Sequence, residues 1–166
     1  MSPPPVRADL QTKDLLIGAL LRVPAQAIHR RLIQELNRAG FVELSLSHIP
    51  ILQYPGPDGV RPSALAERAG MSKQAMNQLL RSVEGLGYIA RRDAPAGRQG
   101  RVVSFTPRGQ AAYRKIQDIL REIEREWSEE LGPRRFAQLK ELLGLVWESP
   151  LVSHSAVAAA SARDAP

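Results

Sequence analysis

Five residues within the stretch Ser72–Gly87, SKQAMNQLLRSVEGLG, are of types that could do chemistry together: Lys73, Gln74, Asn77, Gln78 and Arg81. Their spacing places them on one side of a helix, with Met76, Leu79, Leu80, Val83 and Leu86 forming an apolar face opposite. The outward set holds amides and cations and no carboxylate. Gln and Asn offer paired donors and acceptors, and Arg offers a planar fork; these groups can hydrogen-bond to base edges in a DNA major groove. Ser72 and Lys73, at the helix start, suit phosphate oxygens, and Ser72 also suits the N-cap.

The charge distribution agrees. The 166 residues carry a net charge of +6, and the segment 61–114 holds ten Lys or Arg against three Asp or Glu, a net +7. Residues 1–60 stand at +1 and residues 115–166 at −2. A basic centre on a nearly neutral frame fits a polyanion partner. Other chemistries find little support. There is no cysteine, which excludes disulfides and Cys-based zinc sites and fits a reducing cytoplasm. His29, His48 and His154 are scattered and form no metal site. No glycine-rich phosphate loop, HExxH or GxSxG occurs, and Glu122, Glu124, Glu126, Glu129 and Glu130 fall on a solvated helix face, so neither an enzyme nor a cofactor is expected. No run approaches the roughly 18–20 apolar residues of a membrane span, and the Pro-rich start is unlike a signal peptide, so no membrane partner is expected.

The elements that must position the five residues follow from periodicity and punctuation. Residues 1–8 should form a disordered tail. A long helix runs from Asp9 to Ala39, interrupted or kinked at Pro24 and ended by Gly40. A short helix starts at Ser47 as N-cap, with Pro50 in its first turn, and the Pro55–Gly59 run is a turn. Val60 and Arg61 could add one short strand. Ser63 caps a helix over Ala64–Ala69 whose inward positions are Leu65, Ala66 and Ala69. Gly70 and Met71 turn the chain into the helix capped by Ser72, which spells helix-turn-helix.

Tyr88–Arg92 and Arg101–Phe105 read as two strands around a loop bearing Arg98. Such a finger is the form of a wing: Arg98 would enter the minor groove, with Arg92 and Arg101 as cations at the strand edges. Thr106 and Pro107 open a long helix with an apolar stripe from Ala112 through Ile116, Ile119, Leu120, Ile123 and Trp127 to Leu131. Gly132-Pro133 breaks it, and a last helix spans 134–147 before a tail at 149–166. The fold class is therefore mainly α with a small β wing: a winged helix-turn-helix lobe over about 45–106, between long helices at 9–40 and 107–148. The stripes of these terminal helices are too extended for a small lobe to bury, so a two-fold homodimer is expected, with Trp127 and Trp147 as anchors of its core.

The residues Leu65-Ala66-Glu67, Met71 through Leu79, Leu86-Gly87-Tyr88-Ile89, the wing from Arg91 to Arg98 and Phe105-Thr106-Pro107-Arg108-Gly109 together resemble the MarR type of bacterial winged-helix transcription regulator. The resemblance runs from about Leu15 to Trp147. It departs from the family pattern at Phe105, where Leu is usual, and at Gly97, where many members carry an Asp before the wing arginine. What it implies is a dimer whose paired recognition helices enter successive major grooves of double-stranded DNA, roughly 10 base pairs apart. It further implies a repressor or activator released by a small aromatic or amphipathic effector. The family's pocket, where the first, second and fifth helices meet, would here be offered His29, His48, Tyr54 and Tyr113. The competing expectation is a winged-helix interaction or assembly module whose basic lobe meets an acidic protein.

Overall fold

The computed structural model describes residues 14–53, 59–94 and 100–149. The elements are α1 (Ile17–Arg38), a 3-10 turn (Leu46–His48) leading into α2 (Ile49–Leu52), α3 (Pro62–Arg68), α4 (Lys73–Gly85), β1 (Ile89–Asp93), β2 (Arg101–Phe105), α5 (Pro107–Leu131) and α6 (Pro133–Trp147). The two strands pair antiparallel, with Ile89 opposite Phe105 and Asp93 opposite Arg101, and Val60 adds a single bridge to Val103. The expected fold class, mainly α with a small β wing, is the one observed.

One apolar cluster holds the lobe together. Leu32 and Leu36 of α1, Ile51 and Leu52 of α2, Leu65 and Ala66 of α3, and Met76, Leu80 and Val83 of α4 all bury into it. Tyr88, Ile89 and Val103 close it from the sheet, and Ala112, Ile116, Ile119 and Ile123 of α5 form its floor. The terminal helices take part unequally. Only the second half of α1 is buried, and α6 has no buried residue at all. Arg31 on α1 pairs with Glu126 on α5, and Lys140 on α6 donates to Glu124 on α5 at 2.9 Å, so both helices pack on α5.

Several boundaries differ from expectation, each for a local reason. Within the described residues α1 opens after Leu16, and Pro24 lies inside it without ending it. Ser45, and not Ser47, is the N-cap of the turn before α2, because His48 reaches back to accept the Ser45 N–H at 3.2 Å. Arg61 takes the N-cap of α3 and Pro62 its first position, which moves Ser63 inside the helix. Proline's fixed φ and missing N–H suit that first position better than a capping serine would need. Strand β1 begins one residue late because Tyr88 is used to end α4: its N–H bonds to Val83 O at 3.2 Å while that of Gly87 bonds to Glu84 O at 2.9 Å. This Schellman pattern needs a left-handed residue, and Gly87 supplies φ +77°. The tails expected at 1–8 and 149–166 lie, apart from Ser149, outside the described residues.

Candidate nucleic-acid interface

Helix α4 is presented by its own apolar face. Met76, Leu80 and Val83 are fully buried, which turns Lys73, Gln74, Gln78 and Arg81 to solvent and leaves Asn77 half-buried. Ser72 caps the helix, its Oγ accepting the Ala75 N–H at 3.1 Å. That bond occupies an acceptor lone pair and leaves the hydroxyl proton for another partner. Arg81 turns its Nε back toward the Asn77 carbonyl at 3.4 Å.

A notch of about 480 Å³ brings part of the expected set together: Lys73 and Asn77 of α4 meet Gly100 and Arg101 of the wing. Its third wall is Arg61, Pro62 and Ser63 at the start of α3. Arg61 and Ser63 were missed as site residues in the sequence, where they read as a strand end and a cap. Their place in the basic third of the chain was the available signal. The notch collects three cations and a hydroxyl at the foot of the outward face of α4, a setting suited to a phosphate oxygen. Gln74, Gln78 and Arg81 do not line it; they continue along the exposed side of the helix.

At the wing, Arg92 and Arg101 are exposed on neighbouring strands. Arg91 turns the other way, with its Nε 3.2 Å from a Glu84 carboxylate oxygen and its backbone N–H donating to the same carboxylate at 3.3 Å. The ion pair ties the wing to α4. The pairing continues one step past the strand ends, where the Ala94 N–H donates to Gly100 O at 2.8 Å. Arg98 lies outside the described residues.

The residues offered for an effector pocket divide. A cleft of about 840 Å³ between α1 and the segment 44–47 is lined by His29 together with Gln26, Arg30, Ile33, Gln34, Leu44, Ser45, Leu46 and Ser47. His48 is instead buried and does not line it, and Tyr113 packs against Phe105 with ring centroids 5.4 Å apart. Tyr54 lies outside the described residues. His48 accepts a backbone N–H at Nδ1, so that nitrogen carries no proton, and Nε2–H donates to Ser82 Oγ on α4 at 3.3 Å.

Burial holds the His48 pKa below the ordinary histidine value. The unfolded chain therefore takes up this proton first as pH falls through the ordinary histidine range, about 6.5. Stability is full above that range and declines below it, levelling once the folded form also protonates. Urea midpoints measured between about pH 5 and 8 should fall toward the acid end, with a shallower fall in His48→Gln. Identical slopes in the two proteins would show that His48 does not titrate this way.

Residues 44–100 match the family model described as MarR family. No curated protein matches the chain by sequence. Solved structures do match in fold. A MarR family protein of Mycobacterium tuberculosis, solved in complex with DNA, is 25% identical; the match covers 80% of this chain and 98% of that one, with a TM-score of 0.58. MarR from E. coli is 19% identical over 80% of this chain and 96% of its own, with a TM-score of 0.64. NadR, solved with 4-hydroxyphenylacetate, is 24% identical over 83% and 96%, with a TM-score of 0.63. The chain thus has the architecture of a MarR-type winged-helix regulator, and its helix-turn-helix and first wing strand carry the family's sequence pattern.

Proposed function

We propose that this protein is a ligand-responsive transcription regulator, a homodimer that binds a pseudo-palindromic operator in double-stranded DNA and acts as a repressor. The observation that carries the reading is the exposed amide-and-cation face of α4, with a basic notch at its foot. Gln74, Asn77, Gln78 and Arg81 would contact base edges; Ser72, Lys73, Arg92 and Arg101 would hold phosphate, and Arg98 would enter the minor groove. Similarity in fold to a protein solved with DNA supports this assignment.

The dimer is supported by what the monomer leaves uncovered. Leu16, Ile17 and Leu21 of the α1 end and Leu142, Leu145, Val146 and Trp147 of α6 are all exposed. The effector is supported by the cleft, whose apolar floor of Ile33, Leu44 and Leu46 sits among Arg30, His29, Ser45 and Ser47. That lining suits a small amphipathic molecule with an acceptor or anionic end. Fold neighbours solved with salicylic acid and with 4-hydroxyphenylacetate point the same way.

Binding to DNA upstream of its own gene, titrated with salt, tests the function. Affinity should fall steeply with salt and exceed that for random duplex at every concentration. Gln78→Ala should relax base preference by about 1–3 kcal/mol if the amide makes a bidentate base contact. Equal affinity for random duplex at physiological salt would reject the regulator reading and leave the interaction-module alternative.

A further inference from the structure

The three carbonyls that follow the recognition helix α4 are all held by the start of α5. Arg108 Nη1 donates to Leu86 O at 2.8 Å, Thr106 Oγ1 to Gly87 O at 2.6 Å, and the Thr106 N–H to Tyr88 O at 3.1 Å. Arg108 does more than close this clasp. Its Nη2 donates to Glu43 Oε1 at 2.7 Å, and Glu43 lies in the connection after α1. The second oxygen of Glu43 accepts the Tyr88 hydroxyl at 3.2 Å, and the Arg108 guanidinium lies over the Tyr88 ring, 4.5 Å from its centroid. Tyr88 itself is fully buried, with Phe41 6.2 Å away between ring centroids. One guanidinium therefore touches the exit of α1, the exit of α4 and the head of α5.

From this we propose that Arg108, with Glu43, is a positioning residue for DNA recognition: it sets the angle of α4 against the α1–α5 frame, and so the distance between the two recognition helices of a dimer. The inference rests on the proposed function. Its physical basis is that guanidinium is a planar fork with donors aimed in different directions, so it can serve Leu86 O and Glu43 at once while stacking on Tyr88. An ammonium group is a point charge on a flexible stem and cannot hold all three in one geometry. The pairing is reflected in the Glu43 carboxyl, which the Arg108 hydrogen bond holds below the usual carboxylate range. Both side chains remain partly exposed, at 43% and 36%, and the bonds from Thr106 do not depend on them. Loss of the pair should thus leave the fold standing and loosen one angle.

The test uses the full chain and the upstream DNA segment it protects, with duplexes in which one or two base pairs are inserted between the half-sites. Wild type should discriminate sharply against the altered spacings. Arg108→Lys and Glu43→Gln should each reduce that discrimination at least threefold, with unchanged affinity for random duplex at low salt and a melting temperature within a few degrees of wild type. The double variant should lose less than the product of the two single effects, since both single substitutions weaken the Arg108–Glu43 contact. Discrimination unchanged in both variants would overturn the proposal. So would an equal loss on every duplex, random included, which would make Arg108 a phosphate contact or a general structural residue. A wild type with no preference for its upstream DNA would instead defeat the proposed function, and this inference with it.

Discussion

Gly109→Ala should destabilise the protein by about 3 kcal/mol or more, although alanine is by roughly 1 kcal/mol the better helix former. A Cβ built on Gly109 would stand 1.8 Å from the carbonyl oxygen of Tyr88 and 2.8 Å from its carbonyl carbon. Both are backbone atoms, so no rotamer change relieves the clash. Tyr88 is also badly placed to retreat. Its carbonyl accepts the Thr106 N–H, its ring is fully buried, and its hydroxyl donates to Glu43. The head of α5 would have to lift off the end of α4, breaking the bond from Thr106 Oγ1 to Gly87 O as it went. Gly144→Ala in α6 is the matched control, because among the described residues nothing lies within 4 Å of its added methyl group. It should be neutral or stabilising by up to about 1 kcal/mol. Urea unfolding of both variants checks the contrast, and a Gly109→Ala protein as stable as wild type would contradict the close approach.

Helices α4 and α5 were readable in the sequence because their caps and stripes are strong and local: Ser72 to Ala75, Thr106 to Gly109, and apolar residues at three- and four-residue steps. The outward face of α4 followed from the same periodicity. The starts of α2 and α3 were less readable, since Ser45, Ser47, Arg61 and Ser63 are all acceptable near a helix start. The choice among them was made by a ring nitrogen of His48 and by the fixed geometry of Pro62.

What was not legible is whatever depends on residues distant in the chain. Arg108 looked like a member of a helix-opening sequence, yet it bonds a residue 65 positions away. Arg61 and Ser63 join Lys73 and Arg101 only because α3, α4 and the wing converge. Arg91 and Arg92 are adjacent cations in the sequence, but strand alternation points them to opposite sides, so Arg91 is spent on Glu84.

The largest functional effect is expected from α6, remote in sequence from the interface. Leu142 and Val146, one helical turn apart on α6, are 54% and 48% exposed. Among the described residues nothing covers them, so Leu142→Asp/Val146→Asp should leave the lobe folded. In the proposed dimer the same positions would be buried, and two-fold symmetry would place two carboxylates per chain, four in all, in an apolar seam. Taking such charges out of water without a partner costs several kcal/mol per ion, more than the roughly 1.5–3 kcal/mol that each buried leucine or valine contributes. The variant should therefore sediment as a monomer at concentrations where wild type is a dimer. Separated lobes each hold one half-site, so the second contact loses its high effective concentration. Operator affinity should drop on the order of 10²–10⁴-fold, with affinity for an isolated half-site retained. Sedimentation equilibrium and titration of whole and half operators would resolve the two effects. A variant that stays dimeric would place the partner surface elsewhere than α6, and a monomer that keeps full operator affinity would remove dimerisation from the recognition mechanism.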